Sequence, residues 1–198
     1  MLRLKEKYNT EVVPEMVKKF GYRNKMAVPK IEKVAVNCGF GKQVAEKTKE
    51  EQEKIQNRII ADLALITGQK PTLRLSKKAV SGFKLRKGIA IGVMVTLRDN
   101  RMYDFLERLI YIVLPRTRDF KGINLKSFDK KGNLTIGFKE YTSFPEIIVE
   151  REKGIFSLEV TIVTTSKKRE EGKELLKLLG FPIKGLVRED EPKAKSER

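Results

Sequence analysis

Residues 89–97 read Ile89-Ala-Ile-Gly-Val-Met-Val-Thr-Leu97, and their alternation decides the fold class. In an extended chain Ile89, Ile91, Val93, Val95 and Leu97 share one face, and Ala90, Gly92, Met94 and Thr96 share the other. The same period of two recurs at 31–38, where Val34, Val36 and Cys38 oppose Lys33, Ala35 and Asn37. Shorter strands are predicted at Thr72–Leu75 and at 156–165, the latter carrying Leu158, Val160 and Ile162. A hairpin is predicted over 123–139, around Lys130-Lys131-Gly132-Asn133. Between these lie helical periods. Leu4, Tyr8, Val12, Met16 and Phe20 mark a helix over 3–20 that Pro14 interrupts. Ile55, Ile59, Leu63 and Ile66 mark one over 46–67 that Gly68 stops. A third helix, capped by Asp99 or Asn100, carries Met102, Leu106, Leu109, Ile110 and Val113 up to Pro115. The last spans 169–179, before Gly180 and Pro182. Strands and helices do not alternate as in a doubly wound sheet, so the expected class is α+β, a mostly antiparallel sheet with helices packed on one face.

The chain has 198 residues, with 43 Lys and Arg against 26 Asp and Glu, for a net charge of +17. This length predicts a single domain over 1–187 followed by a disordered, sign-alternating tail over 188–198. There is no His and one Cys, Cys38, so imidazole catalysis, an internal disulfide and a thiolate zinc site are all excluded. Cys38 reads as a small core residue. Met1–Tyr8 has no apolar signal region, and the longest apolar runs, Leu109–Leu114 and Ile89–Val95, fall far short of the roughly 20 residues a membrane-spanning helix needs. A cytoplasmic protein with no membrane partner is expected, and the sequon Asn133-Leu-Thr135 is then idle.

Charge distribution says more than net charge. From Leu63 to Arg98, 36 residues contain no Asp or Glu but include Lys70, Arg74, Lys77, Lys78, Lys84, Arg86, Lys87 and Arg98. Such a field suits a phosphate backbone, and Pro71, Gly82, Gly88 and Gly92 break any basic amphipathic helix that would suit a membrane. The sheet face opposite the helices is expected to bind RNA. Its residues Lys33, Ala35, Asn37, Ala90, Gly92 and Thr96 are small or polar, so a sugar–phosphate chain can approach, and Asn37 and Thr96 can bond 2′-hydroxyls. Glu159 would repel phosphate, so its strand is expected to lie away from the nucleic acid. The loop 76–88 reads as mobile. Within it Phe83 is either a stacking platform for a base or an anchor of the loop to the core.

Catalytic motifs are weak by comparison. Gly39-Phe40-Gly41 resembles the opening of a dinucleotide fingerprint, but Val44 occupies the third glycine position. No phosphate-binding Gly-x-x-x-x-Gly-Lys loop exists, and Asp99, Asp104 and Glu107 read as helix-cap and dipole partners. Neither an enzyme nor a cofactor is expected.

Several motifs together resemble the bacterial large-subunit ribosomal protein family that binds 5S rRNA, the "L five" family. They include Val28-Pro-Lys-Ile-Glu-Lys-Val-Ala-Val-Asn-Cys-Gly39, Ile66-Thr-Gly-Gln-Lys-Pro71, Gly82-Phe-Lys-Leu-Arg86, Val95-Thr-Leu-Arg98 and Leu114-Pro-Arg-Thr-Arg-Asp-Phe-Lys-Gly122. Lys126-Ser-Phe-Asp129, Phe144-Pro-Glu-Ile147 and Ile162-Val-Thr-Thr165 extend the likeness collinearly over about residues 1–183. The resemblance implies a non-catalytic constituent of the central protuberance. It places 5S rRNA on Asn37, Gly39, Gly41, Thr67, Gln69, Lys70 and Arg74, beside the face formed by Lys33, Gly92 and Thr96. It places the elbow of P-site tRNA on the loop with Lys77, Lys78, Ser81, Phe83, Lys84, Arg86 and Lys87. Further implied partners are large-subunit rRNA, other 5S-binding ribosomal proteins, and a small-subunit head protein bridged from the 110–150 side. The stretch Ile148-Val-Glu-Arg151 lacks the family's Asp-rich segment, and the tail has no counterpart.

Three other functions fit a basic α+β domain. A general RNA chaperone would show no preferred RNA over competitor. A nucleic-acid-processing enzyme would cleave with metal, and a basic scaffold would recruit acidic proteins.

Overall fold

The computed structural model describes residues 3–45, 47–83, 85–147 and 156–184. Helix α1 (Leu4–Lys7) runs through a π turn at Tyr8–Val12 into α2 (Val13–Phe20). Strand β1 (Ile31–Gly39) leads to the short α3 (Gly41–Val44) and the long α4 (Lys49–Thr67). Strands β2 (Thr72–Leu75) and β3 (Ala90–Leu97) flank the basic loop. Helix α5 (Asp99–Arg108) passes through a second π turn, Leu109–Val113, into α6 (Leu114–Arg116). Strands β4 (Leu134–Phe138) and β5 (Leu158–Thr164) precede α7 (Arg169–Leu179). Five strands among the described residues form one antiparallel sheet in the order β2-β3-β1-β5-β4. The α+β expectation holds. No helix among the described residues is long and apolar enough to cross a membrane.

The helices lie on one face of the sheet. Helix α5 contacts β1 and α4 contacts β3, while α1 and α2 pack on α5 and α7. Beneath them Val34, Val36 and Cys38 of β1, Val93, Val95 and Leu97 of β3, and Leu158, Val160 and Ile162 of β5 are buried. Ile31 is buried too, although it stands an odd three positions before Val34. An irregularity in the β1–β5 ladder between Ile31 and Lys33 shifts the face by one and turns both inward.

A second irregularity corrects the alternation expected for 89–97. Against β2, Arg74 faces Gly92 and Leu75 faces Ala90, so Ile91 is an extra residue on β3. Ala90, expected on the open face, is buried, and Ile91 is only partly covered. The same stretch is tight against β1. A Cβ on Gly92 would stand 2.9 Å from the Cys38 carbonyl oxygen, so the absent side chain is a packing requirement.

Helix ends follow local chemistry. Thr48 and Glu51 form a capping box, with the Thr48 N–H donating to Glu51 and the Glu51 N–H to Thr48 Oγ1, so α4 starts three residues later than its period predicts. The Thr48 bonds hold the Glu51 carboxyl below its usual range. Gly68 ends α4 and Gly180 ends α7 with left-handed backbone, as predicted. Pro115 does not end its helix, which continues to Arg116 because the π turn just ahead absorbs the proline. Arg98, not Asp99 or Asn100, is the N-cap of α5, and the Asn100 side chain instead accepts from Lys5 Nζ at 2.9 Å.

The hairpin expected over 123–139 is half formed. Its second arm is β4, but the first contains a 3₁₀ turn at Leu125–Ser127 and pairs only through Phe128 with Leu134. Asp129 draws in the Lys131 and Asn133 N–H groups, leaving no ladder to extend. This turn carries α7. Ser166 Oγ donates to the Lys131 carbonyl at 2.5 Å, and a Cβ on Gly172 would overlap the Gly132 carbonyl oxygen. The tail predicted at 188–198 lies outside the described residues.

Two outcomes follow from this packing. Gly92→Ala must push β3 off β1 and is expected to destabilise the fold by about 1–3 kcal/mol, read as a lowered urea midpoint. Burial pushes the Cys38 thiol and the Tyr8 phenol each up to about 12. The fold therefore holds these protons more tightly than the unfolded chain, and stability is lost as pH rises from about 8.5 towards the folded values. The urea midpoint should decline above about pH 9, and Cys38→Ala should flatten part of that decline.

Candidate nucleic-acid interface

The face of the sheet away from the helices carries Lys33, Ala35, Asn37 and Gly39 of β1. Pairing sets Ala35 beside Thr96, Asn37 beside Met94 and Gly39 beside Gly92 on one flank. On the other flank Ala35 lies beside Thr161 and Asn37 beside Glu159, with Thr135 and Gly137 of β4 beyond. Bulky groups are scarce, as the sequence implied. Thr135 and Thr161 share a hydroxyl hydrogen bond of 3.2 Å across the strands.

The strand bearing Glu159 adjoins the candidate face: β5 is the immediate neighbour of β1, and Asn37 Nδ2 donates to Glu159 Oε2 at 3.5 Å. Alternation alone puts Glu159 on a polar face. Which strand lies alongside is a long-range fact that local periodicity does not carry.

The other singled-out residues divide by exposure. Asn37, Gly39, Lys70 and Arg74 are exposed, and Lys33, Gly41, Gln69 and Thr96 are half-buried. Arg74 lies over the sheet with Nη2 at 3.7 Å from the Met94 sulfur. Gln69 Nε2 donates to the Thr96 carbonyl at 3.3 Å, which fixes the corner after α4 to β3. Thr67 is buried at 3% exposure, and its hydroxyl donates within that corner, to the Leu63 carbonyl at 2.7 Å. Thr67 and Gly92 therefore shape the backbone of the site and present little side-chain surface.

The loop 76–88 leaves the same end of the sheet as Gly39. Its base is closed by Ser76 N–H to the Ile89 carbonyl and Gly88 N–H to the Ser76 carbonyl, and its arms meet where Val80 bridges Leu85. Lys77, Lys78, Ser81, Arg86 and Lys87 are exposed; Lys84 lies outside the described residues. Phe83 is 63% exposed, which removes the core-anchor reading. Its ring lines a groove of about 640 Å³ with Gly41, Lys42, Ile91, Lys139 and Phe156. Sequence reading missed Lys42, which directly follows Gly41, and Lys139, which only the sheet order brings near Gly39-Phe40-Gly41. Phe40 itself is buried, and the four-residue α3 after it is not the long helix of a dinucleotide site.

Comparison with known proteins matches this arrangement to one family. Residues 24–86 match the profile described as ribosomal protein L5, and residues 90–183 match the profile of the same ribosomal family's C-terminus. The break between the two falls just before β3, yet β1 from the first segment is hydrogen-bonded to β3 and β5 from the second. The large ribosomal subunit protein uL5 of Geotalea daltonii is 50% identical over 184 residues, covering 93% of this chain and 99% of the relative. That of Dictyoglomus thermophilum is 52% identical over 186 residues, covering 91% and 98%. That of Streptococcus thermophilus is 48% identical over 181 residues, covering 91% and 97%. With identity of this order along nearly its whole length, the chain belongs to the ribosomal protein L5 family.

Proposed function

We propose that this protein is a structural, non-catalytic constituent of the large ribosomal subunit, in the cytoplasm, that holds 5S rRNA against the open face of its sheet. The observation that carries the reading is the joining of that small-residue face to the acid-free block. Family membership names the ribosome as the setting. Cations at Lys33, Lys70 and Arg74 position the RNA backbone, and Asn37 and Thr96 meet sugar hydroxyls at the close approach that Ala35 and Gly39 permit. The exposed loop with Phe83 at its tip reaches the elbow of P-site tRNA. The 110–150 side takes a small-subunit head protein, and large-subunit rRNA and other 5S-binding proteins complete the surroundings. The segment 148–151, which lacks the family's Asp-rich stretch, lies outside the described residues.

Titrating the protein into labelled 5S rRNA under excess tRNA, across a salt series, tests the core of this reading. Competitor-resistant binding is expected, with a log–log salt slope of about −0.9 per phosphate neutralised, so six to eight engaged cations collapse it between low and moderate salt. A flat salt response refutes the phosphate contacts. Asn37→Ala should weaken 5S binding more than binding to an unrelated duplex; equal losses would make Asn37 non-specific.

The loop is tested separately. Phe83→Ala should leave 5S affinity unchanged within about twofold and impair tRNA binding to reconstituted ribosomes, since an exposed stacking ring contributes about 1–3 kcal/mol per base. Loss of 5S affinity instead would assign the loop to that RNA.

A further inference from the structure

An RNA-binding face built from cations and small residues has an evident anomaly in Glu159. It is exposed, it stands directly beside Asn37, and a carboxylate repels the phosphates that the surrounding field attracts. A carboxylate can only accept hydrogen bonds, so its favourable partners on RNA are donors. The setting is a hollow of about 500 Å³ lined by Asn37, Gly39, Gly137, Lys139, Ser157 and Glu159. At Gly39 and Gly137 the space a Cβ would enter is open, so the floor beside the carboxylate is bare backbone. Asn37 Nδ2 donates to Oε2 at 3.5 Å, and a carboxylate's second oxygen is a further acceptor.

We propose that Glu159 makes this hollow a guanine-selective subsite of the RNA face. Guanine fits for two reasons. Its Watson–Crick edge offers adjacent N1–H and N2–H donors that match two carboxylate oxygens. In an A-form minor groove its N2 amino group is the one base-edge donor. In both geometries the recognised group is the N2 amine. The bare floor lets a base edge reach the carboxylate, Asn37 orients one oxygen, and Lys139 at the rim attracts the flanking phosphate. A carboxylate here excludes a phosphate and admits a donor edge, which gives a basic surface sequence preference that cations alone do not supply.

The inference rests on the reading of the open face as the 5S rRNA site, and the test separates the two. 5S rRNA carrying sparse inosine phosphorothioates, which lack the N2 amine, is selected for binding and cleaved with iodine to map interference. With the wild-type protein, interference is expected at one or a few guanosines. With Glu159→Ala that interference should vanish and overall affinity fall about tenfold. The same-sized Glu159→Gln, which keeps one acceptor oxygen, should show partial interference and guards against misfolding of the alanine variant. Identical maps for wild type and both variants would overturn the guanine subsite and leave 5S binding standing. So would a Glu159→Ala protein that binds 5S rRNA more tightly, because the carboxylate would then act by repulsion alone. If 2′-deoxy substitutions, and not inosines, lose their interference in the variants, Glu159 reads sugar and guanine selectivity is refuted. A wild-type protein that shows no preference for 5S rRNA over tRNA overturns both readings.

Discussion

The register of β1 is the constraint on which the rest of the molecule depends. This strand is hydrogen-bonded on both sides, to β3 and to β5, and its two faces have opposite tasks. Val34, Val36 and Cys38 fill the core, while Lys33, Ala35 and Asn37 meet the outside. A slip of one residue would exchange the two sets, burying a lysine and an asparagine and exposing the core. The backbone approach of Gly92 to the Cys38 carbonyl pins β3 in place, and the irregularity at Ile31–Lys33 sets where the face begins. A side-chain pattern chosen for core packing thereby also fixes the composition of the open surface.

That coupling explains why the surface is readable in chemical terms. Helices cover one face only, so nothing on the other is needed for burial, and small residues there keep the backbone approachable. The cations flanking it follow one another along the chain, from the corner after α4 through the edge strand β2 to the loop beyond it. Arg108 strengthens that corner, with Nη2 donating to the Ile66 carbonyl at 3.0 Å and Nη1 bonded to Glu146. The surface is thus held by buried and half-buried contacts well away from the groups of the open face.

Much of this was legible in the residues because local rules dominate there. The bounds of β2 and α7 coincide with those expected, and Gly180 stops the helix as expected. The departures have two causes, non-local strand pairing and local capture of backbone donors by a side chain. Ala90 turned inward because an extra residue on β3 faces β2, which no pattern within 89–97 reveals. The first arm of the expected hairpin gave way because Asp129 captures backbone donors that a ladder needs. Alternation put Glu159 on a polar face but could not show that its strand adjoins β1, since strand order is set by what packs, not by what alternates. Phe83 was undecided in sequence because a single aromatic in a loop has no periodicity to orient it.

The two π turns have a consequence for how this chain tolerates changes in length. Each is an α-helix with one residue inserted, and each stands immediately before the turn that contains a proline, Pro14 or Pro115. The wider turn removes the need for the missing N–H and gives the ring room. Deleting one residue from Leu109–Val113 would restore an ordinary helical turn and set Pro115 against the carbonyl four residues back. It would also rotate everything downstream by about 100° about the helix axis. Deletions are usually thought harmless in loops and ruinous in helices. Here the insertion is already part of the helix, and the proline makes it irreversible.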